Sequence, residues 1–198
     1  TLSLESDLDR LISGVMSGWA QQGAGEATDA MASIDKLQGP DWFGLFKAFH
    51  RALIADASGM PEKAEAIYAA TLQDTTAGGA APETWMRNAQ AYASFLARKG
   101  DKAKAISVLD QAEAFSPGKL EIVALRDRIA KGDKIPPFVS CPSDGASEIL
   151  LDLATALNRG GGEPFVRLYL QYALALRPDS DAALVQLAAV AEQLKDGE

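Results

Sequence analysis

The chain has one cysteine, Cys141, and one histidine, His50, in 198 residues. A single cysteine excludes an internal disulfide and any cysteine-rich metal site. A single histidine removes the usual pairing of base with nucleophile or ligand with ligand. No apolar run approaches the roughly 18 residues that a membrane span requires, so no membrane insertion is expected. Basic residues are outnumbered 19 to 27, and the resulting charge of −8 argues against nucleic acid, whose phosphates call for a basic surface. The chain begins at Thr1 and shows no signal peptide, so it is read as a piece of a longer protein or a processed form. The compartment stays open between cytoplasm and periplasm.

The residues present are those of an ordinary globular chain, 47% hydrophobic and 23% charged. Their order is helical almost throughout. In residues 85–117, Ala89, Tyr92, Ala93 and Leu96 recur at i, i+3, i+4 and i+7, and Ala105, Ile106, Leu109 and Ala112 do the same. Between the two runs lies Lys99-Gly100-Asp101-Lys102. Glycine supplies a left-handed C-cap, and aspartate accepts the free N–H groups of the next helix. Pro117 stops the second run. Ala93 and Ala105 are small where two antiparallel helices would press closest.

The pattern recurs. Residues 3–22 and 26–37 predict a pair with Gly18 and Ala30 at the crossing. Residues 42–58 and 61–73 predict another, with Ala52 and Ala64. Residues 146–178 predict a last pair around Gly160-Gly161-Gly162, with Ala154 and Val166. Residues 75–82 read as a flexible linker. Residues 119–131 read as a lone half-repeat helix, and 180–194 as a capping helix. Residues 132–144 contain Pro136, Pro137 and Pro142, which forbid a regular helix. They predict an extended connector with Phe138 pinned between the half-repeat and the last pair.

These pairs resemble tetratricopeptide repeats of the bacterial multi-repeat type, helix–turn–helix units of about 34 residues with small crossing residues and a terminal proline. The tryptophan position of the motif holds Ala89 here. The fold expected is all-α, a right-handed superhelix (solenoid) of antiparallel helix pairs with about ten helices. It divides into residues 1–131, the connector 132–144, and residues 145–198.

In that family the first helix of each pair lines a concave groove. The resemblance carries this role to Ile12, Val15, Trp19 and Gln22; to Phe46, Phe49, Leu53 and Asp56; to Arg87, Gln90, Ser94 and Arg98; and to Glu148, Leu151, Thr155, Asn158 and Arg159. A carboxylate clamp of Lys and Asn, which some members use, is not expected, because Gln90 and Ser94 hold such positions. The function implied is a non-catalytic scaffold that binds a protein or peptide in the groove. The alternative is a structural segment of a larger repeat protein of the cell-envelope-associated kind, whose apolar faces serve internal packing or a homodimer. No catalytic residue, metal site or cofactor is expected. A Cys141–His50 nucleophile pair has no activating feature nearby, and His50, beside Lys47 and Arg51, reads as a surface or packing residue. Gly160-Gly161-Gly162 lacks the Lys-Ser/Thr of a phosphate loop. Asp7, Asp9, Asp179 and Asp181 read as helix-capping acids.

Overall fold

The computed structural model describes residues 2–39, 43–158 and 163–195. The start of the expected helix at Trp42, the Gly160–Gly162 turn and Arg159 lie outside the described residues. Within them the protein is all-α, with eleven helices and no strand. These are α1 (Leu2–Gly23), α2 (Ala27–Asp35), α3 (Phe43–Ala57), α4 (Pro61–Gln73), α5 (Thr75–Ala80), α6 (Pro82–Lys99), α7 (Lys102–Phe115), α8 (Leu120–Lys131), α9 (Pro142–Asn158), α10 (Glu163–Leu176) and α11 (Asp181–Lys195).

Local chemistry sets the boundaries. Gly100 ends α6 at φ 89°, a conformation that only glycine adopts without strain. Asp101 then starts α7, its Oδ1 accepting the Lys104 N–H at 3.1 Å. Pro61 and Pro82 stand in the first turns of α4 and α6, where a missing N–H costs nothing. Two boundaries differ from expectation. The segment read as a linker forms α5, because Asp74 Oδ1 accepts the Ala77 N–H at 2.9 Å and Gly78 lies buried against the Trp85 ring. Pro142 opens α9 rather than prolonging the connector, since proline suits a first turn as well as it spoils a helix interior.

α1–α2, α3–α4, α6–α7 and α9–α10 pack as consecutive pairs. In the first three of these pairs, short turns between the packed helices make them antiparallel. The crossing alanines Ala30, Ala52, Ala64, Ala93, Ala105 and Ala154 are fully buried, and Val166 nearly so. A Cβ at Gly18 would sit 2.7 Å from the Ile34 side chain, so glycine there allows α1 and α2 to close.

The first helices of the early pairs, α1, α3 and α6, form an inner layer, and α9 lies against all three. The main core joins Leu11, Trp19, Phe49, Tyr92 and Leu109 to Ile135 and Val139 of the connector and Ile149 of α9. A smaller core joins α9, α10 and α11, and Met16 of α1 packs against both. The connector carries no helix up to Cys141, and Phe138 seats on α3 and α6 instead of between α8 and the last pair. Its ring meets Phe49 at 6.3 Å and lies 4.5 Å under the Arg87 guanidinium.

Candidate functional site

Helix α9 fills the face of the inner layer on which a groove was expected. Gly145, in its first turn, makes the approach possible. A Cβ there would stand 2.1 Å from Cε2 of Trp19. The groove assignment is therefore corrected for the apolar residues: Val15, Trp19, Phe46, Phe49, Leu53 and Leu151 are buried core. Their faces were identified from the sequence, but α9 lies against α1, α3 and α6, and Leu151 of α9 packs with α10 and α11; apolar area withdrawn from water is stabilising.

The polar members of the set are tied to neighbouring helices. Gln90 and Ser94 are buried, and Arg87 Nη1 donates to Gln90 Oε1 at 3.3 Å. Arg98 pairs with Asp56 of α3 at 2.5 Å, and Gln22 Nε2 donates to Ser58 Oγ at 3.2 Å. Burial raises the Asp56 carboxyl above its ordinary value, opposed by the Arg98 charge beside it. Thr155 exchanges hydrogen bonds with Gln186 of α11. Ile12 is half-buried and Asn158 is exposed.

At the centre of the joint Arg87 of α6 grips Glu148 of α9. Nε donates to Oε2 at 3.1 Å and Nη2 to Oε1 at 2.6 Å, a bidentate pair. The Glu148 side chain is 1% exposed. Arg177, just after α10, donates to the Phe138 carbonyl at 3.0 Å and reaches Glu148 at 3.5 Å. Ser147 and Ser143 of α9 donate to the carbonyls of Ala173 and Leu176. One helix is thus tied on one side to the N-terminal array and on the other to α10.

His50 lies inside the core, not on the surface. Lys47 and Arg51 turn away to the end of α2, where Lys47 reaches the Leu37 carbonyl and Arg51 reaches Asp35. The imidazole is enclosed by Phe46, Phe49 and Trp19, with its centroid 4.5 Å from that of Phe46. Its Nδ1 accepts the Trp19 indole N–H at 3.2 Å, which places the ring proton on Nε2. Burial lowers its pKa to about 3, so the ring is neutral. Cys141 is exposed at the start of α9. A buried, hydrogen-bonded imidazole and a surface thiol do not make the nucleophile–base pair considered above.

The joint holds a hollow. A cavity of about 320 Å3 opens between α1, α3, the α5–α6 corner and α9. Leu11, Ile12, Phe46, Ile149 and Leu153 make its apolar wall, and Asp152 lies on it. Asp152 is 7% exposed, and its Oδ2 has no hydrogen-bond partner. Burial, with Glu148 one turn away, pushes its pKa up to about 8. The sequence held a signal for this place: Glu148 and Asp152 sit four apart on an otherwise apolar helix face. Among the described residues no cluster of His, Cys, Asp and Glu is arranged to hold a metal ion, and no helix is long and apolar enough to cross a membrane. Comparison of the chain with protein-family models, with curated proteins and with solved structures finds no match in any of the three.

Proposed function

We propose that the chain is a non-catalytic interaction module whose tetratricopeptide-like helix pairs form a right-handed stack. Its partner surface is the outer face of α10 and α11, not the groove that α9 occupies. The observation that carries this reading is a stripe of exposed apolar side chains. Phe165, Leu168, Tyr172 and Leu176 recur at spacings of three and four on α10, with Phe165 59% and Tyr172 53% exposed. On α11, Leu184 and Val185 are exposed as well. A row of large apolar groups in water marks a contact. Its helical period suits an apolar helix of a partner protein laid alongside α10.

The second reading, a structural segment that uses its apolar faces for its own packing, draws support from α9, which already covers the inner layer. In that reading the α10 stripe is the seam of a second copy. Light scattering over a range of concentrations, on the wild type and on a Phe165→Glu, Tyr172→Glu double variant, distinguishes the two. A wild-type monomer that captures a host protein, with capture lost in the variant, supports the interaction module. A concentration-dependent dimer lost in the variant supports self-association. Identical behaviour of both chains in both assays removes the α10 face from either reading.

A further inference from the structure

The cavity against α9 has the features of a ligand site, and it lies apart from the α10 stripe. Its volume of about 320 Å3 falls within the range of small-molecule pockets, which are mostly apolar with few convergent polar groups. The wall matches that description: Leu11, Phe46, Ile149 and Leu153 enclose it from three helices. Asp152 supplies the polar group. A buried carboxyl oxygen without a donor is unfavourable, and native proteins leave few of them.

The charges around Asp152 decide the sign of what it would accept. Glu148 on its own helix and Glu83 on α6 both work against its ionisation, and Arg87 works for it. Arg87 is already committed to Glu148 through two hydrogen bonds. Among the described residues, α1 and α3 offer Leu11, Ile12 and Phe46 to the cavity. Among the described residues that line the cavity, the charged side chains are Asp152 and Glu83, both acids, with Lys119 paired to Glu83 at 3.5 Å. An incoming anion would meet repulsion, and a neutral group would gain one hydrogen bond. A cation would gain that bond and the field together.

We propose that this cavity binds a small organic ammonium, a protonated amine carried on an aliphatic or aromatic body, with the Asp152 carboxylate accepting its N–H. The apolar body takes the place of water against Leu11, Phe46, Ile149 and Leu153. At neutral pH the carboxyl gives up its proton as the ammonium arrives, so up to one proton leaves to solvent for each molecule bound.

The test uses the full chain and three probes with one apolar body: 4-phenylbutylammonium, 4-phenylbutanol and 4-phenylbutyrate. Calorimetric titration at pH 7 in two buffers of different ionisation enthalpy reads affinity and proton release together. The expected result is an ammonium affinity at least about tenfold above the alcohol, with the carboxylate weaker still, and net proton release with the ammonium alone. In Asp152→Asn the ammonium and the alcohol bind alike. Ile12→Trp, which fills the cavity from the α1 wall, weakens both. Equal affinity of the wild type for ammonium and alcohol overturns the proposal without recourse to any variant. So does a failure of the wild type to bind the ammonium at millimolar concentration, or an ammonium preference that survives in a folded Asp152→Asn.

Discussion

The Arg87–Glu148 pair gives the sharpest test of the idea that α9 is fastened onto the N-terminal array. The Glu148 side chain is 1% exposed and that of Arg87 16%. Removing the guanidinium while leaving the carboxylate strands a charge in the interior, a change that typically costs about 3–5 kcal/mol. Arg177, at 3.5 Å from Glu148, offsets part of that. Loss of the guanidinium over Phe138 adds about 0.5–1 kcal/mol. Methionine keeps most of the aliphatic stem in place. Arg87→Met is therefore expected to lose about 3 kcal/mol, read by urea unfolding, with a fall in melting temperature of roughly 6–12 °C for a chain of this length. Glu148→Gln alone should lose less, about 1–2 kcal/mol, because the surviving arginine is partly solvated. The double variant Arg87→Met, Glu148→Gln buries no charge and should regain most of the loss, coming within about 1 kcal/mol of wild type. Hydrogen exchange should rise first in α9, since that is the element released. A loss below about 1 kcal/mol in Arg87→Met, or a double variant as unstable as the single, would refute the reasoning.

Two further predictions rest on the same joint. His50 has a folded pKa of about 3 against an unfolded value near 6.5, so its contribution is complete above pH 6.5. It fades as pH falls toward 3, with a limiting slope of about 1.4 kcal/mol per pH unit. His50→Gln should flatten the stability profile between pH 6 and 4 in denaturant titrations, and an unchanged slope would show that another group carries the acid sensitivity. Gly145→Ala places a methyl 2.1 Å from the Trp19 ring and should cost about 1–3 kcal/mol in a thermal melt, despite alanine's better helix propensity. A neutral or stabilising outcome would mean that α9 and α1 are not in close contact.

Much of the helical layout was legible because turn chemistry and periodicity agree. Gly100 with Asp101, and Gly59 with Pro61, mark turns between faces that are each apolar at helical spacing. Two local elements were not legible for identifiable reasons. Thr75-Thr76-Ala77-Gly78-Gly79-Ala80 has poor helix propensity, and it becomes helical through the Asp74 cap and the packing of Gly78 on Trp85. Pro142 is ambiguous in a sequence, since proline ends one helix and begins another with equal ease. The burial of the groove residues was missed for a different reason. Periodicity shows that Val15, Trp19 and Phe49 share faces needing cover, but a face carries no label for what covers it. The pointers were small and polar: a glycine in the first turn of α9, and the acids Glu148 and Asp152 on its buried side. Each is unfavourable in an isolated amphipathic helix and explicable only with a neighbour in place.

That neighbourhood ties the cavity to the fastening of α9. Its walls come from the array (Leu11, Ile12, Phe46) and from α9 (Ile149, Asp152, Leu153), so a molecule seated there touches both sides of one interface. Such a molecule gains contacts only when α9 is docked. By mass action it therefore stabilises the docked arrangement by RT ln(1 + [L]/Kd), about 2.7 kcal/mol at a hundredfold excess over Kd. This is comparable to the loss expected from breaking the Arg87–Glu148 pair. Ligand and ion pair act on the same contact from two neighbouring points on α9, Asp152 and Glu148, one helical turn apart. Saturating 4-phenylbutylammonium should then restore much of the melting temperature lost in Arg87→Met, and restore it through Asp152.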